Sequence, residues 1–499
     1  MQRIKRLVYL GGIYSIGSSF EAALAFFLIP IYTTYLGTYD YGIVGLMSIT
    51  VGLVSKLICP PTNSGFLRYY YAPEYKDKKG LLLYNSFLFL GIQSFVLSIL
   101  FYLFRNIIST AVLENNDLTH IVEIYALILF FKPLSQFFLT FLRQIERAGF
   151  FIVISWLRLL ITAAVILWGL IYLKIGVLAL IYGTLVGVVI DVVCVFPLFL
   201  KHSTHKVSFS VLGLPLKYGY PLILSGLSLL LIESGDRYVL RVMSSLSDVG
   251  LYSFGYTIAG IMLFLLVVPL KQALHPITFK QESRPEQLKG FLKRNCTYFY
   301  FVGMFFCLFL SLYSKEVIQI MARKETFWGS WVIVPIITFS YLQHGVGNFV
   351  GWGLVMTKKT FYISINVLIA AIVNIGLNIL FIPYWGIIGA AVATLFSYFV
   401  WNSLKLYFSA KYYGLYFDLK RLLHITVTGV LLYGVSLFIA RTGTMSIDMA
   451  IKFIVLLSFP LTVYTTGFFT VTEKEHLRML WVSLREDGLR TTFMKIRAL

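Results

Sequence analysis

Seven ionisable side chains interrupt stretches that are otherwise apolar: Glu21, Glu123, Lys132, Arg158, Asp191, Glu233 and Asp236. Placing such a group in hydrocarbon costs roughly 2.5–3.5 kcal/mol on insertion scales, so each needs a partner, a wet cavity or a ligand. Arg158 offers a planar fork that binds phosphate or carboxylate at two points. Lys132 precedes Pro133, which loosens the helix ladder beside it. Glu21, Asp191 and Glu233 can hold a proton or Na+. Each group also has a structural reading. Arg158 lies about 12 Å inside its stretch, at 1.5 Å per residue, and can snorkel to the interface. Lys132 can pair with Asp191 or Glu123, and the glutamates can sit in interhelical hydrogen bonds. Asp236 and Arg237 read as an interfacial ion pair or helix cap. Lys56 and Arg68 flank Pro60 and Pro61, where a helix break is expected. They either set topology or meet a charged headgroup. Tyr69, Tyr70 and Tyr71 follow as an interface belt or a stacking surface for sugars.

Other chemistry is missing from the pattern. The seven histidines show no metal-binding spacing, and His344 alone lies clearly inside an apolar stretch, where a hydrogen-bonded helix contact is expected. No Gly-rich phosphate loop, Ser/His/Asp constellation or metal-ligand spacing of cysteines occurs. Cys59, Cys194, Cys296 and Cys307 read as small apolar packing. The expectation is therefore no enzyme, no metal and no cofactor beyond a coupling H+ or Na+.

The elements that position these charges are fourteen apolar spans, numbered in chain order. They are Leu10–Leu36, Gly42–Cys59, Leu81–Phe104, Leu118–Phe141, Phe150–Leu173, Ile175–Leu200, Tyr220–Val242, Val249–Leu270, Thr297–Tyr313, Trp331–Val355, Phe361–Ile382, Trp385–Tyr407, Leu422–Ala440 and Met449–Phe469. A helix of roughly 17–25 residues crosses the hydrocarbon core, and in lipid a helix satisfies its own backbone. Hydrophobic residues make up 58% and charged residues 13%, which leaves no room for a soluble core of this length. The net charge of +20 does not mark a nucleic-acid partner, because of where it falls. With the N-terminus inside, 31 of the 42 Lys and Arg lie on cytoplasmic segments and eight on the opposite side; Lys132, Arg158 and Lys452 fall inside spans. The excess sets topology and attracts anionic lipid headgroups. Span 1 is read as a retained helix rather than a cleaved signal peptide.

Two matches recur along the chain. Tyr41-Gly42-Ile43-Val44-Gly45-Leu46 recurs as Val249-Gly250-Leu251-Tyr252, with Gly42 and Gly250 208 residues apart. Gly176–Thr184 resembles Gly386–Thr394, 210 residues on. Six spans per copy is an even number, so the repeat is parallel, an arrangement transporters use for alternating access with the site between the halves. The expected fold is an all-α integral membrane protein. It has a six-helix lobe over 1–205, a second over 206–412, two extra helices over 413–472 and an amphipathic tail over 473–499 on the inner leaflet.

Three stretches carry a resemblance: Pro30–Gly42, the Asp236-Arg237-Tyr238 segment running on to Val249-Gly250-Leu251-Tyr252-Ser253, and Asn374-Ile-Gly-Leu-Asn378-Ile-Leu-Phe-Ile-Pro383-Tyr-Trp-Gly386-Ile-Ile-Gly389-Ala-Ala-Val-Ala-Thr394. They resemble the polysaccharide flippases of the multidrug/oligosaccharidyl-lipid/polysaccharide exporter superfamily. The resemblance implies a flippase for polyprenyl-diphosphate-linked oligosaccharides, such as O-antigen repeat units. It implies transport from the cytoplasmic to the outer leaflet without ATP, through ion coupling of antiporter type. Arg158, Lys132, Lys56 and Arg68 would then meet the diphosphate, and Glu21, Glu233 and Asp191 would couple the ion. The setting implied is a bacterial inner membrane, with both termini cytoplasmic and polysaccharide polymerase machinery as a partner. Alternatives are a flippase for peptidoglycan precursor and a multidrug or cation antiporter, although that branch favours twelve spans and acidic cavities. A membrane polymerase or ligase would need a large external loop, and the external segments here are short.

Overall fold

The computed structural model describes residues 26–281, 284–438 and 445–469, together with 473 and 475. Every described regular element is helical. Each of the fourteen spans has its helix, although only Phe26–Tyr35 of span 1 is described. Spans 11 and 12 are two helices within Thr360–Tyr413, separated where Gly386 leaves helical geometry. Long apolar side chains lie exposed along the outer faces, among them Trp168, Phe361 and Leu431. That is the expected surface when lipid is the solvent.

The described residues form two compact units. The first runs to Lys289 and includes Ser314–Tyr416; the second comprises Gly290–Tyr313 and the residues from Phe417 on. In the second unit the span 13 helix, Leu419–Phe438, packs on the span 14 helix, Met445–Thr465. Phe301 stacks on Phe459 at 5.6 Å, and Arg421 pairs with Glu473 at 2.6 Å.

Within the first unit the repeat is visible in atoms. The span 2 helix starts at Thr38 and the span 8 helix at Leu246, again 208 residues apart. Each start has an aspartate three residues in. Asp40 accepts the Gly37 amide at 2.8 Å, and the Asp248 amide donates to Ser245 Oγ at 3.1 Å. The two helices cross where neither can carry a side chain. A Cβ on Gly42 would overlap the Leu246 carbonyl, and one on Gly250 would overlap the Thr38 carbonyl. Leu246 is the repeat mate of Thr38, so the contact is reciprocal, as at a two-fold axis. Gly176 and Gly386 match as well: both sit at φ near +55° and ψ near −130°, where glycine alone is comfortable. Around the crossing, Tyr41, Phe254 and Phe327 cluster, Thr50 and Tyr238 hydroxyls meet at 2.7 Å, and Arg241 pairs with Glu114 at 2.8 Å.

One expectation about this helix fails. Pro60 and Pro61 do not end it, because Thr38–Tyr69 is one element. Two missing amides weaken the ladder locally, but the far half is held by packing. Phe66 is fully buried against Phe137 at 5.1 Å, and Pro61 lies directly against Gly219.

Candidate functional site

Span 7 is a helix in pieces. Pro221 has no amide to continue the preceding turn, and Phe209–Gly219 meets Pro221–Ser234 at 48°. Past Ser234 the chain keeps helical geometry through Gly235 into Asp236–Met243, with the Gly235 amide donating to the Leu231 carbonyl at 2.7 Å. Glu233 sits just before Gly235, half-buried, and its carboxylate makes no hydrogen bond or ion pair among the described residues. The cations within its electrostatic reach are Lys56 from the first repeat, and Lys271 and Arg237 from the second.

Lys56 in turn lies within reach of Lys132, with Cys59 between them in sequence and field. Neither lysine makes an ion pair or hydrogen bond among the described residues, and both are half-buried. The structural partners considered for Lys132 are taken. Glu123 binds Arg105 at 3.0 Å, and Asp191 binds Arg158 at 2.8 Å. Arg68 is exposed beyond the last turns of span 2. Thus Lys56 lies within electrostatic reach of both Lys132 and Glu233, whereas Arg68 lies on the exposed end of its helix. Glu21 and nearly all of the expected amphipathic tail lie outside the described residues.

Arg158 and Asp191 form a separate constellation between spans 5 and 6. Asp191 is fully buried, and its Oδ2 accepts from Arg158 at 2.8 Å and Ser135 Oγ at 2.6 Å. The Arg158 side chain stays 25% exposed. A guanidinium already holding a carboxylate has fewer N–H groups for a ligand. Its first task is to neutralise Asp191.

Asp236 and Arg237 form the expected ion pair, at 3.3 Å, but it is buried among helices rather than solvated. Asp236 is fully buried and accepts from Tyr252 Oη at 2.5 Å and Thr394 Oγ1 at 3.2 Å. Arg237 donates to Ser253 Oγ at 3.1 Å and to the Glu233 carbonyl at 3.0 Å, and lies 4.4 Å from the centre of the Tyr256 ring. The network ties span 7 to spans 8 and 12 just past Gly235. Asn374 and Asn378 of the span 11 motif bond one another at 3.0 Å within their own helix.

A sequence profile described as "Polysaccharide biosynthesis protein" matches residues 35–325, more than half of the chain. The chain belongs to that family. It is 23% identical over 291 residues to the "Probable low-salt glycan biosynthesis flippase Agl15" of Haloferax volcanii, covering 58% of this chain and 60% of that protein. The match thus spans less than two thirds of the curated relative's length. Among solved structures it is similar to "Lipid II flippase MurJ, inward closed conformation", with a TM-score of 0.73 at 17% identity over 91% of this chain and 99% of that one. It is also similar to an inward-facing multidrug resistance MATE family transporter of the MOP superfamily, with a TM-score of 0.66 at 14% identity over 79% and 94%. At these identities the likeness establishes a shared fold: that of multi-span membrane transporters.

For this member of the family, the residue that sequence reasoning missed is Lys405. Placed near the end of span 12, it was counted with the cytoplasmic flank. Yet it is only 8% exposed and lies 3.4 Å from the centre of the Trp401 ring. His344 stacks on Tyr398 at 5.5 Å, and its Nδ1 has no hydrogen-bond partner, unlike the satisfied helix contact expected for it. The available signal was spacing: Tyr398, Trp401 and Lys405 lie three and four residues apart, on one helical face.

Proposed function

We propose that the protein is a flippase that carries anionic, lipid-linked glycans across the bilayer by alternating access between its two repeats. The observation that carries this reading is an excess of positive charge near the region where spans 2 and 7 of the two repeats meet: Lys56 and Lys132 are half-buried and in no ion pair among the described residues, and Lys56, Lys271 and Arg237 surround a single carboxylate, Glu233. Excess cationic charge at membrane depth is costly unless a ligand supplies the counter-charge, and a diphosphate supplies two or more negative charges. A carrier of organic cations would reverse that balance. Family membership and the flippase named among the relatives support the substrate class. In this reading the basic face is cytoplasmic, Lys56 and Lys132 attract the headgroup, and Arg68 meets it at the entrance. Glu233 is the coupling carboxylate, because it alone among Glu233, Asp191 and Asp236 accepts no side-chain donor among the described residues.

Deleting the gene in its host and extracting polyprenyl-diphosphate glycans tests this. Completed repeat units accumulate on the cytoplasmic leaflet, and wild type clears them while Lys56→Ala/Lys132→Ala does not. A deletion strain with a normal lipid-glycan amount and leaflet distribution refutes the reading.

A further inference from the structure

The second repeat holds a cluster of polar groups that no described residue engages. Tyr398 Oη, Trp401 Nε1, His344 Nδ1 and Asn402 Oδ1 are all buried without a hydrogen-bond partner. Native interiors leave few such atoms, so four in one neighbourhood need an explanation. Three of the side chains are rings in mutual contact: His344 lies 5.5 Å from Tyr398 and 6.1 Å from Trp401, and Tyr398 lies 6.0 Å from Trp401. The ammonium of Lys405 sits beside them. Its hydrogen-bond acceptor is the Gly347 carbonyl at 3.4 Å, a long contact, and no carboxylate reaches it among the described residues. Lys271, within its electrostatic reach, adds positive charge.

The matching place in the first repeat is different. At the 210-residue offset Trp401 corresponds to Asp191 and Lys405 to Val195. There the charge is neutralised by Arg158; in the second repeat it is left open.

A candidate lid lies beside the cluster. Ile232 shares one buried apolar cluster with Tyr398 and Trp401, Leu229 packs against that cluster, and both belong to Pro221–Ser234. That segment begins at the 48° bend with Phe209–Gly219. A helix set at such a bend can pivot there as a unit.

We propose that His344, Tyr398, Trp401, Asn402 and Lys405 form a second substrate station, which holds the first sugar and adjoining phosphate of the lipid-linked glycan when Pro221–Ser234 swings aside. The proposal rests on the flippase reading above. Each group has a task. The rings stack against the apolar face of a pyranose, and the Tyr, Trp and His groups with the Asn oxygen meet its hydroxyls. Lys405 takes the phosphate. Because Glu233 rides on the same segment, exposure of the station moves the coupling carboxylate.

Two probes separate the parts in proteoliposomes: undecaprenyl-diphosphate-linked N-acetylglucosamine, and undecaprenyl diphosphate without sugar. Trp401→Leu raises the half-saturating concentration at least tenfold for the sugar-bearing probe and less than twofold for the bare one, while Trp401→Phe restores most of the difference. Lys405→Met raises it for both. A purely structural role would lower stability and leave these ratios unchanged. As a check that leaves the station intact, a protein keeping Trp401 as its lone tryptophan shows emission quenched by the sugar-bearing probe and not by the bare one. Wild-type transport with ratios within twofold in every variant, or equal quenching by both probes, overturns the station and leaves the flippase standing. Failure of wild type to move either probe overturns both.

Discussion

Arg158 and Asp191 lend themselves to a test in which the two partners respond unequally. Asp191 is fully buried with a neutral Ser135 as its other donor, whereas Arg158 keeps a quarter of its side chain exposed. Arg158→Met strands a carboxylate in the interior, and removal of one partner from a buried pair costs about 3–5 kcal/mol. Asp191→Asn instead frees an arginine that can extend toward the interface, so its cost is lower, about 1 kcal/mol. The double variant Arg158→Met/Asp191→Asn removes both charges and returns to within about 1 kcal/mol of wild type, since uncharged replacements of buried pairs are often neutral or stabilising. The cycle therefore carries a coupling energy of about 3–5 kcal/mol, more than a hundredfold in the unfolding constant. Unfolding in mixed micelles, followed by tryptophan emission for all four proteins, measures it. Equal losses for the two single variants, or a double variant no more stable than Arg158→Met, would refute the argument and return Arg158 to the substrate path.

Two further outcomes follow from the repeat geometry. The Cβ of a residue at Gly45 would lie 3.6 Å from that of Ser253, close to the spacing of a disulfide. Gly45→Cys/Ser253→Cys, with the four native cysteines replaced, links the repeats under mild oxidant. Fragments cleaved between them stay joined on a non-reducing gel, and separation of the fragments counts against the crossing. Gly386→Ala and Gly176→Ala each force a side chain into a φ near +55° and cost about 1–3 kcal/mol, whereas Gly376→Ala, in a helix with open space around it, is neutral or stabilising. Melting in detergent ranks the three.

Helix number and repeat register were legible because hydropathy and glycine spacing are local signals. Gly42 and Gly250 could be matched by eye, and their carbonyl contacts were then a consequence of symmetry. Partnership was not legible. Lys132 had two plausible carboxylates in sequence, and only packing shows that Arg105 and Arg158 hold them. Depth misled at both ends of spans. Asp236 and Lys405 stand near span termini and looked solvated, yet packing buries both, Asp236 against Tyr252 and Thr394 and Lys405 against Trp401. A proline pair was read as a stop because the local rule is sound for an isolated helix. Here the buried Phe66 and the contact of Pro61 with Gly219 outweigh the two missing amides.

The reciprocal crossing at Gly42 and Gly250 has a bearing on direction. Where the two copies touch, they have stayed alike: aspartate stands at the helix start at 40 and 248, and glycine at the crossing at 42 and 250. Away from the joint they have diverged, with a neutralised Asp191 on one arm and an uncompensated Lys405 on the other. On the proposed reading, two identical arms would present an anion with wells of equal depth and no preferred resting side, whereas unequal arms would tilt its path.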